Sequence, residues 1–196
     1  SPGGGSPAAA PRGAEPLLIA SWKVHEKLAA ESPFRRLKWR TVGPKFQGGR
    51  IETLALDPEN SAVFYAGAGS GGLWKTTDGG VTWIPLFDGQ STIAMGDAVV
   101  APSDPRILWV GTGENLRAGG YAFAGTGVFR SGDGGRTWRN TGLFDSHHIG
   151  RIVVHPEDPD VVYVAVLGHF FSNNAERGLY KTEDGGETWK RSLFVS

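Results

Sequence analysis

Apolar residues in this chain fall in short runs parted by polar turns, and the arrangement recurs. Ile51 to Leu56, Met95 to Ala101 and Ile149 to His155 are each followed by a proline-bearing turn: Asp57-Pro58, Pro102 to Pro105 and Pro156 to Pro159. A second apolar run follows each turn, at Ala62 to Ala66, Ile107 to Gly111 and Val161 to Val166. Short runs rich in Val, Ile and Leu between proline turns predict buried strands joined tightly. A third, aromatic-bearing strand is predicted at Gly72-Leu73-Trp74-Lys75, Gly127-Val128-Phe129-Arg130 and Gly178-Leu179-Tyr180-Lys181.

Directly after each third strand stands one motif, Ser/Thr-x-Asp-Gly-Gly-x-Thr-Trp, at Thr76 to Trp83, Ser131 to Trp138 and Thr182 to Trp189. This Asp-box reads as a hairpin turn. Its aspartate accepts backbone N–H groups, glycine supplies positive φ, and the tryptophan begins a fourth strand and packs inward. Asp78, Trp83, Asp133, Trp138, Asp184 and Trp189 are therefore structural residues. From Asp78 to Asp133 is 55 residues and from Asp133 to Asp184 is 51, a period that suits one four-stranded propeller blade.

The predicted fold is an all-β β-propeller, with blades at about 48–88, 89–143 and 144–196 in a region spanning 34–196. Natural propellers close with four to eight blades. The three present are read as part of a larger ring, the remaining blades of the parent chain being their partners. An open three-repeat array, or a dimer closing six blades, is the alternative. Residues 1–33 form an N-terminal lead-in: Ser1 to Ala14 reads as a flexible linker, and Pro16 to Ala30 as a short helix stopped by Pro33 that packs on the propeller edge. Leu37 to Val42 alternates apolar and polar positions and predicts one further strand.

Composition agrees with an all-β chain, since 30 glycines and 7 tryptophans suit tight turns and aromatic packing. Twenty basic and 20 acidic residues cancel, leaving no field to collect phosphates, so no nucleic-acid partner is expected. The absence of cysteine removes disulfides, thiolate metal sites and cysteine nucleophiles. No apolar run is long enough for a membrane span. No cofactor is expected, because the glycines sit in hairpins rather than between a strand and a helix. No metal is expected either: His147 and His148 are adjacent on a strand-like segment, where side chains point apart.

Chain direction places the long connections Gly111 to Gly127 and Ala165 to Gly178 on one face of the blades. Long loops on a rigid scaffold are where binding groups collect. These carry Glu114, Asn115, Arg117, Tyr121, His169, Asn173, Asn174, Glu176 and Arg177. Arg50, Asp97 and Arg151 lie near the starts of the innermost strands, by the central channel. The ligand-binding candidates are thus Arg50, Glu114, Asn115, Arg117, Tyr121, Arg151, His169 and Arg177. Glycoside hydrolysis uses two carboxyl groups, for which Glu114 and Asp97 are the candidate pair. Salt bridges to Arg117 or Arg151 explain the same two acids equally well.

Trp39 to Pro44, Gly48-Gly49-Arg50, Gly71 to Thr76, Gly111 to Asn115 and Leu167-Gly168-His169 together resemble secreted bacterial BNR/Asp-box, sortilin-type propeller proteins, often labelled glycosyl hydrolases. The resemblance implies a longer propeller and an exported, extracellular or periplasmic protein. Asp-boxes are also shared with sialidases, xyloglucanases and photosystem assembly factors. Beside xyloglucanase-like propellers, this chain carries Gly69 where those enzymes place a catalytic aspartate. Sialidase-like chemistry would need an arginine cluster and a tyrosine nucleophile; Tyr121 is the single tyrosine of the two long loops, and the arginine motif expected near the start is absent. The expectation is a propeller that binds a glycan or peptide through its long-loop face. The alternatives are a glycoside hydrolase acting on polysaccharide, or a structural or assembly module marked by a broad apolar patch.

Overall fold

The computed structural model describes residues 17–37, 50–115 and 122–193. The chain divides into two compact units, Ser1–Trp39 and Arg40–Ser196. In the first, α1 spans Leu17–Glu31, close to the predicted helix, and Trp22 stacks on His25 at 5.0 Å. The linker to Ala14 lies outside the described residues, as does the strand predicted at Leu37 to Val42 beyond its first residue.

Among the described residues, the second unit contains three four-stranded antiparallel sheets, each a meander. The first blade is β1 (Ile51–Leu56), β2 (Phe64–Ala68), β3 (Gly72–Thr76) and β4 (Ile84–Pro85). The second is β5 (Met95–Ala101), β6 (Asp104–Thr112), β7 (Val128–Ser131) and β8 (Arg139–Gly142). The third is β9 (Ile149–Val154), β10 (Val162–Val166), β11 (Gly178–Thr182) and β12 (Lys190–Leu193). Two strands differ from expectation. β2 begins at Phe64 rather than Ala62, because Ala62 is held in a turn: its N–H donates to Asn60 Oδ1 and its carbonyl accepts Gly79 N–H. β6 begins already at Asp104, which pairs with Ala101 across a tight turn.

Alternation along the strands points one face of each sheet at one neighbour and the other face at the next. Ala55, Tyr65 and Leu73 of the first blade pack with Ala98, Val100, Leu108, Val110 and Phe129 of the second. Trp109 and Val128, on the other face of the second blade, pack with Ile152, Val154, Val162 and Val164 of the third. In the first two blades an aromatic residue of the second strand faces the following blade, and in all three it lies beneath a cation from the third strand. Lys75 sits over Tyr65 at 5.1 Å, Arg130 over Trp109 at 5.6 Å and Lys181 over Tyr163 at 5.4 Å, each a directly paired cross-strand couple. Tyr65 and Trp109 are 1% and 0% exposed, whereas Tyr163, with no following blade among the described residues, is 36% exposed.

The Asp-box hairpins have one geometry throughout. In the second blade, Asp133 accepts hydrogen bonds from the Thr137 N–H and hydroxyl and from the Ser131 hydroxyl, while Ser131 Oγ accepts the Gly135 N–H. Gly134 and Gly135 hold φ of 72° and 88°, which favours glycine. The tryptophan lies one residue ahead of the fourth strand and packs on the preceding blade rather than on its own. Trp138 Nε1 donates to Leu86 O and Trp189 Nε1 to Thr141 O. Trp83 has no preceding blade among the described residues and folds back on its own hairpin, its indole N–H donating to Gly80 O.

These contacts set two expected outcomes. Trp109 is fully buried, its indole N–H donates to Pro159 O at 3.1 Å, and its ring meets Trp189 edge-on. Trp109→Ala should cost about 3–5 kcal/mol in denaturant unfolding. Hydrogen bonds, first from the threonine hydroxyl four residues on and then from its backbone N–H, lower the carboxyls of Asp78, Asp133 and Asp184 to about 2. A carboxyl lowered in the folded state adds stability above its unfolded value of about 3.9 and loses it as pH falls through the folded value. The melting temperature should therefore drop between about pH 4 and pH 2, and drop less in Asp133→Asn, which has no proton to bind at that position.

Candidate functional site

The innermost strands β1, β5 and β9 lie side by side. Each carries a bulge at the same place: the register with its neighbour slips at Glu52, Gly96 and Gly150. A bulge bends a strand and re-aims its side chains. Here the bulges face a cavity of about 680 Å³ lined by Arg50, Glu52, Asp97, Asn115 and Arg151 among others. The topology thus brings together four of the residues singled out from sequence: Arg50, Asp97, Asn115 and Arg151.

Asp97 is buried and ties the three inner strands together. Its Oδ1 accepts the Thr53 hydroxyl of β1 at 2.7 Å and its own strand's Ala98 N–H at 3.0 Å, while Oδ2 accepts the Ile152 N–H of β9 at 2.8 Å. Arg151 Nε lies 3.8 Å from Oδ2. A carboxylate with both oxygens so engaged is a brace between blades, and this geometry gives it a structural duty in addition to any chemical one.

Glu114, also buried, faces Arg50, whose Nη2 is 3.2 Å from Glu114 Oε2 and whose Nε donates to Glu52 Oε1. One half-exposed guanidinium therefore holds two carboxylates, and the bond to Glu52 raises its affinity for its proton. Glu52 was not among the residues singled out from sequence. The signal was present in the register of the repeats, where Glu52 occupies the bulge position that is glycine in the other two blades. Gly69 borders the same cluster: a Cβ there would stand 3.3 Å from Arg50 Nη2, 3.3 Å from Glu52 Oε1 and 3.5 Å from Glu114 Cδ.

The backbone of Glu114 leads to the second long loop. Its N–H donates to Phe123 O at 3.0 Å, and its carbonyl lies 3.0 Å from His148 Nδ1. The His148 ring stacks on Phe170 at 4.0 Å, and His147 lies against His169 with ring centroids 3.5 Å apart. Among the described residues no group of three or more His, Cys, Asp or Glu side chains is arranged to hold a metal. Burial first, and the neighbouring His169 second, lower the His147 pKa; burial lowers that of His148.

Arg177 serves its own loop, donating to Leu167 O at 2.9 Å and His169 O at 3.0 Å. Asn174 does the same, reaching His169 O and Ser172 O. Glu176 contributes its carbonyl to the Tyr180 hydroxyl, and Asn173 is exposed. Arg117 and Tyr121 lie outside the described residues. No described helix is long and apolar enough to cross a membrane.

No protein-family model matches the chain. Comparison with curated proteins finds a xyloglucanase of Hypocrea jecorina (strain QM6a), 36% identical over 148 residues, covering 62% of this chain and 17% of that protein. A Paenibacillus xyloglucanase is 30% identical over 248 residues, covering 87% of this chain and 24% of the relative. The chain is similar to xyloglucanases. Among solved structures, an ancestral GH74 enzyme superposes with a TM-score of 0.64 at 19% identity, over 82% of this chain and 20% of that one. The shared fold is the propeller, and the chain spans at most 24% of the length of these proteins.

Asp97→Ala should leave the Ile152 N–H without its acceptor and cost about 1–3 kcal/mol. Glu114→Gln, which keeps the shape but removes the charge facing Arg50, should cost about 1 kcal/mol, less than Asp97→Ala. Paired denaturant titrations check both.

Proposed function

We propose that this chain supplies three blades of a larger, exported glycoside hydrolase that takes a polysaccharide across the inner-strand cavity, with Glu52 and Glu114 as its acid and base. The observation that carries this reading is the pair of carboxylates sharing Arg50, which lines the cavity together with Glu52. Likeness to xyloglucanases supports the same chemistry. Acid–base cleavage of a glycosidic bond needs two carboxyl groups close together, and Arg50 holds Glu52 and Glu114 side by side. Arg50 is half-exposed, so an entering sugar can displace it and take up hydrogen bonds to the two carboxyl groups. The remaining blades cover the outer faces of the first and third sheets, where Leu54, Leu56, Val153 and Tyr163 are exposed.

A second reading, a propeller that binds glycan or peptide without cleaving it, draws on Gly69. With no side chain there, the cluster lacks the aspartate that xyloglucanase-like propellers place at the matching position. The two readings separate in the full-length parent protein assayed on xyloglucan. For the hydrolase, Glu114→Gln and Glu52→Gln each lower kcat by about 100-fold or more with oligosaccharide binding retained. Binding of xyloglucan without turnover by the unaltered protein assigns it to the second reading.

A further inference from the structure

Past Glu114 the long-loop face changes character from charged to aromatic. Phe171 is 92% exposed, an unusual place for a phenyl ring unless something lies against it. It borders a pocket of about 260 Å³ shared with His148, His169 and Phe170. Pockets for drug-sized ligands begin near 300 Å³, so this one suits a single ring. Phe170 and Phe171 meet at 69°, giving the pocket a floor and a wall.

The hydrogen-bonding side is as specific. The Glu114 carbonyl can only accept, so neutral His148 places its proton on Nδ1 and leaves Nε2 an acceptor. An acceptor nitrogen beside flat apolar rings matches a sugar hydroxyl beside the C–H face of a pyranose. The lining carries no carboxylate to neutralise a charged ligand, which suits a neutral one. The loop is already ordered: Arg177 and Asn174 clamp the carbonyls of Leu167, His169 and Ser172. Ordering cost on binding is correspondingly low. His148 is itself held in place, its Nδ1 on the Glu114 backbone carbonyl and its ring on Phe170.

We propose that Phe170, Phe171 and His148 form a stacking subsite for one pyranose ring of a neutral glycan. This rests on the glycan reading above. It adds a specificity element that the carboxylates do not provide.

The test is calorimetric titration of the full-length protein with xyloglucan oligosaccharides of increasing length. Phe171 is exposed, so its substitution leaves the fold intact. Phe171→Ala should weaken binding of the longer oligosaccharides about tenfold, Phe171→Leu should weaken it as much because leucine has no flat face, and Phe171→Trp should restore it. Binding by the unaltered protein that is equal in Phe171→Ala overturns the subsite and leaves the glycan reading standing. Equal affinity in Phe171→Leu and the unaltered protein also overturns it, since apolar area alone would then suffice. No binding of any oligosaccharide by the unaltered protein, with Phe171-dependent capture of a peptide instead, overturns both.

Discussion

Each sheet in this protein is apolar on both faces, and burying both requires a neighbour on either side. The second blade meets that condition fully, with Val110 and Phe129 turned to the first blade and Trp109 and Val128 to the third. Burial of such side chains contributes about 25 cal/mol for each Å² removed from water, far more than the hairpins contribute alone. The Asp-box acts within this constraint. Its carboxylate closes a local turn, yet the tryptophan it launches belongs to the core of the blade before, so the motif joins neighbours as well as strands. The same residue shows what a missing neighbour does: Trp83 is 38% exposed at the position where Trp138 and Trp189 find a preceding blade.

Stacked sheets bring their inner strands within side-chain reach of one another, and a polar brace becomes possible there. Asp97 fills that place, accepting from β1 and β9 at once. The bulges beside it serve a different end. Gly96 and Gly150 put only backbone at the cavity, whereas Glu52 puts a carboxylate there and finds Arg50 and, through it, Glu114. Repetition builds the scaffold, and departure from repetition builds the charged cluster.

The long loops divide their labour similarly. Arg177 and Asn174 spend their donors on backbone carbonyls, which frees His169, Phe170 and Phe171 to face outward on an ordered segment. Such polar residues look like ligand contacts in a sequence because their types suit both duties. A buried loop carbonyl needs a donor as much as a ligand does, and only coordinates distinguish the two.

Local physics made much of this protein legible from its residues alone. The Asp-box turns, the strand runs and the blade period depend on interactions a few residues apart, so three copies of one motif were enough to specify an all-β propeller with four strands in each blade. The positions of Arg50, Asp97 and Arg151 near the inner strands followed from chain direction, whereas Asn115 was read only as a residue of a long loop. What those residues do was settled by contacts across 35 to 64 positions of sequence: Asp97 with Ile152, Arg50 with Glu114, Asn115 with Gly150. Glu52 escaped notice because a bulge is visible only in the pairing of two strands. Whether a charged side chain braces a blade, clamps a loop or lines a cavity depends on which neighbour the fold sets beside it, and that is a property of tertiary structure.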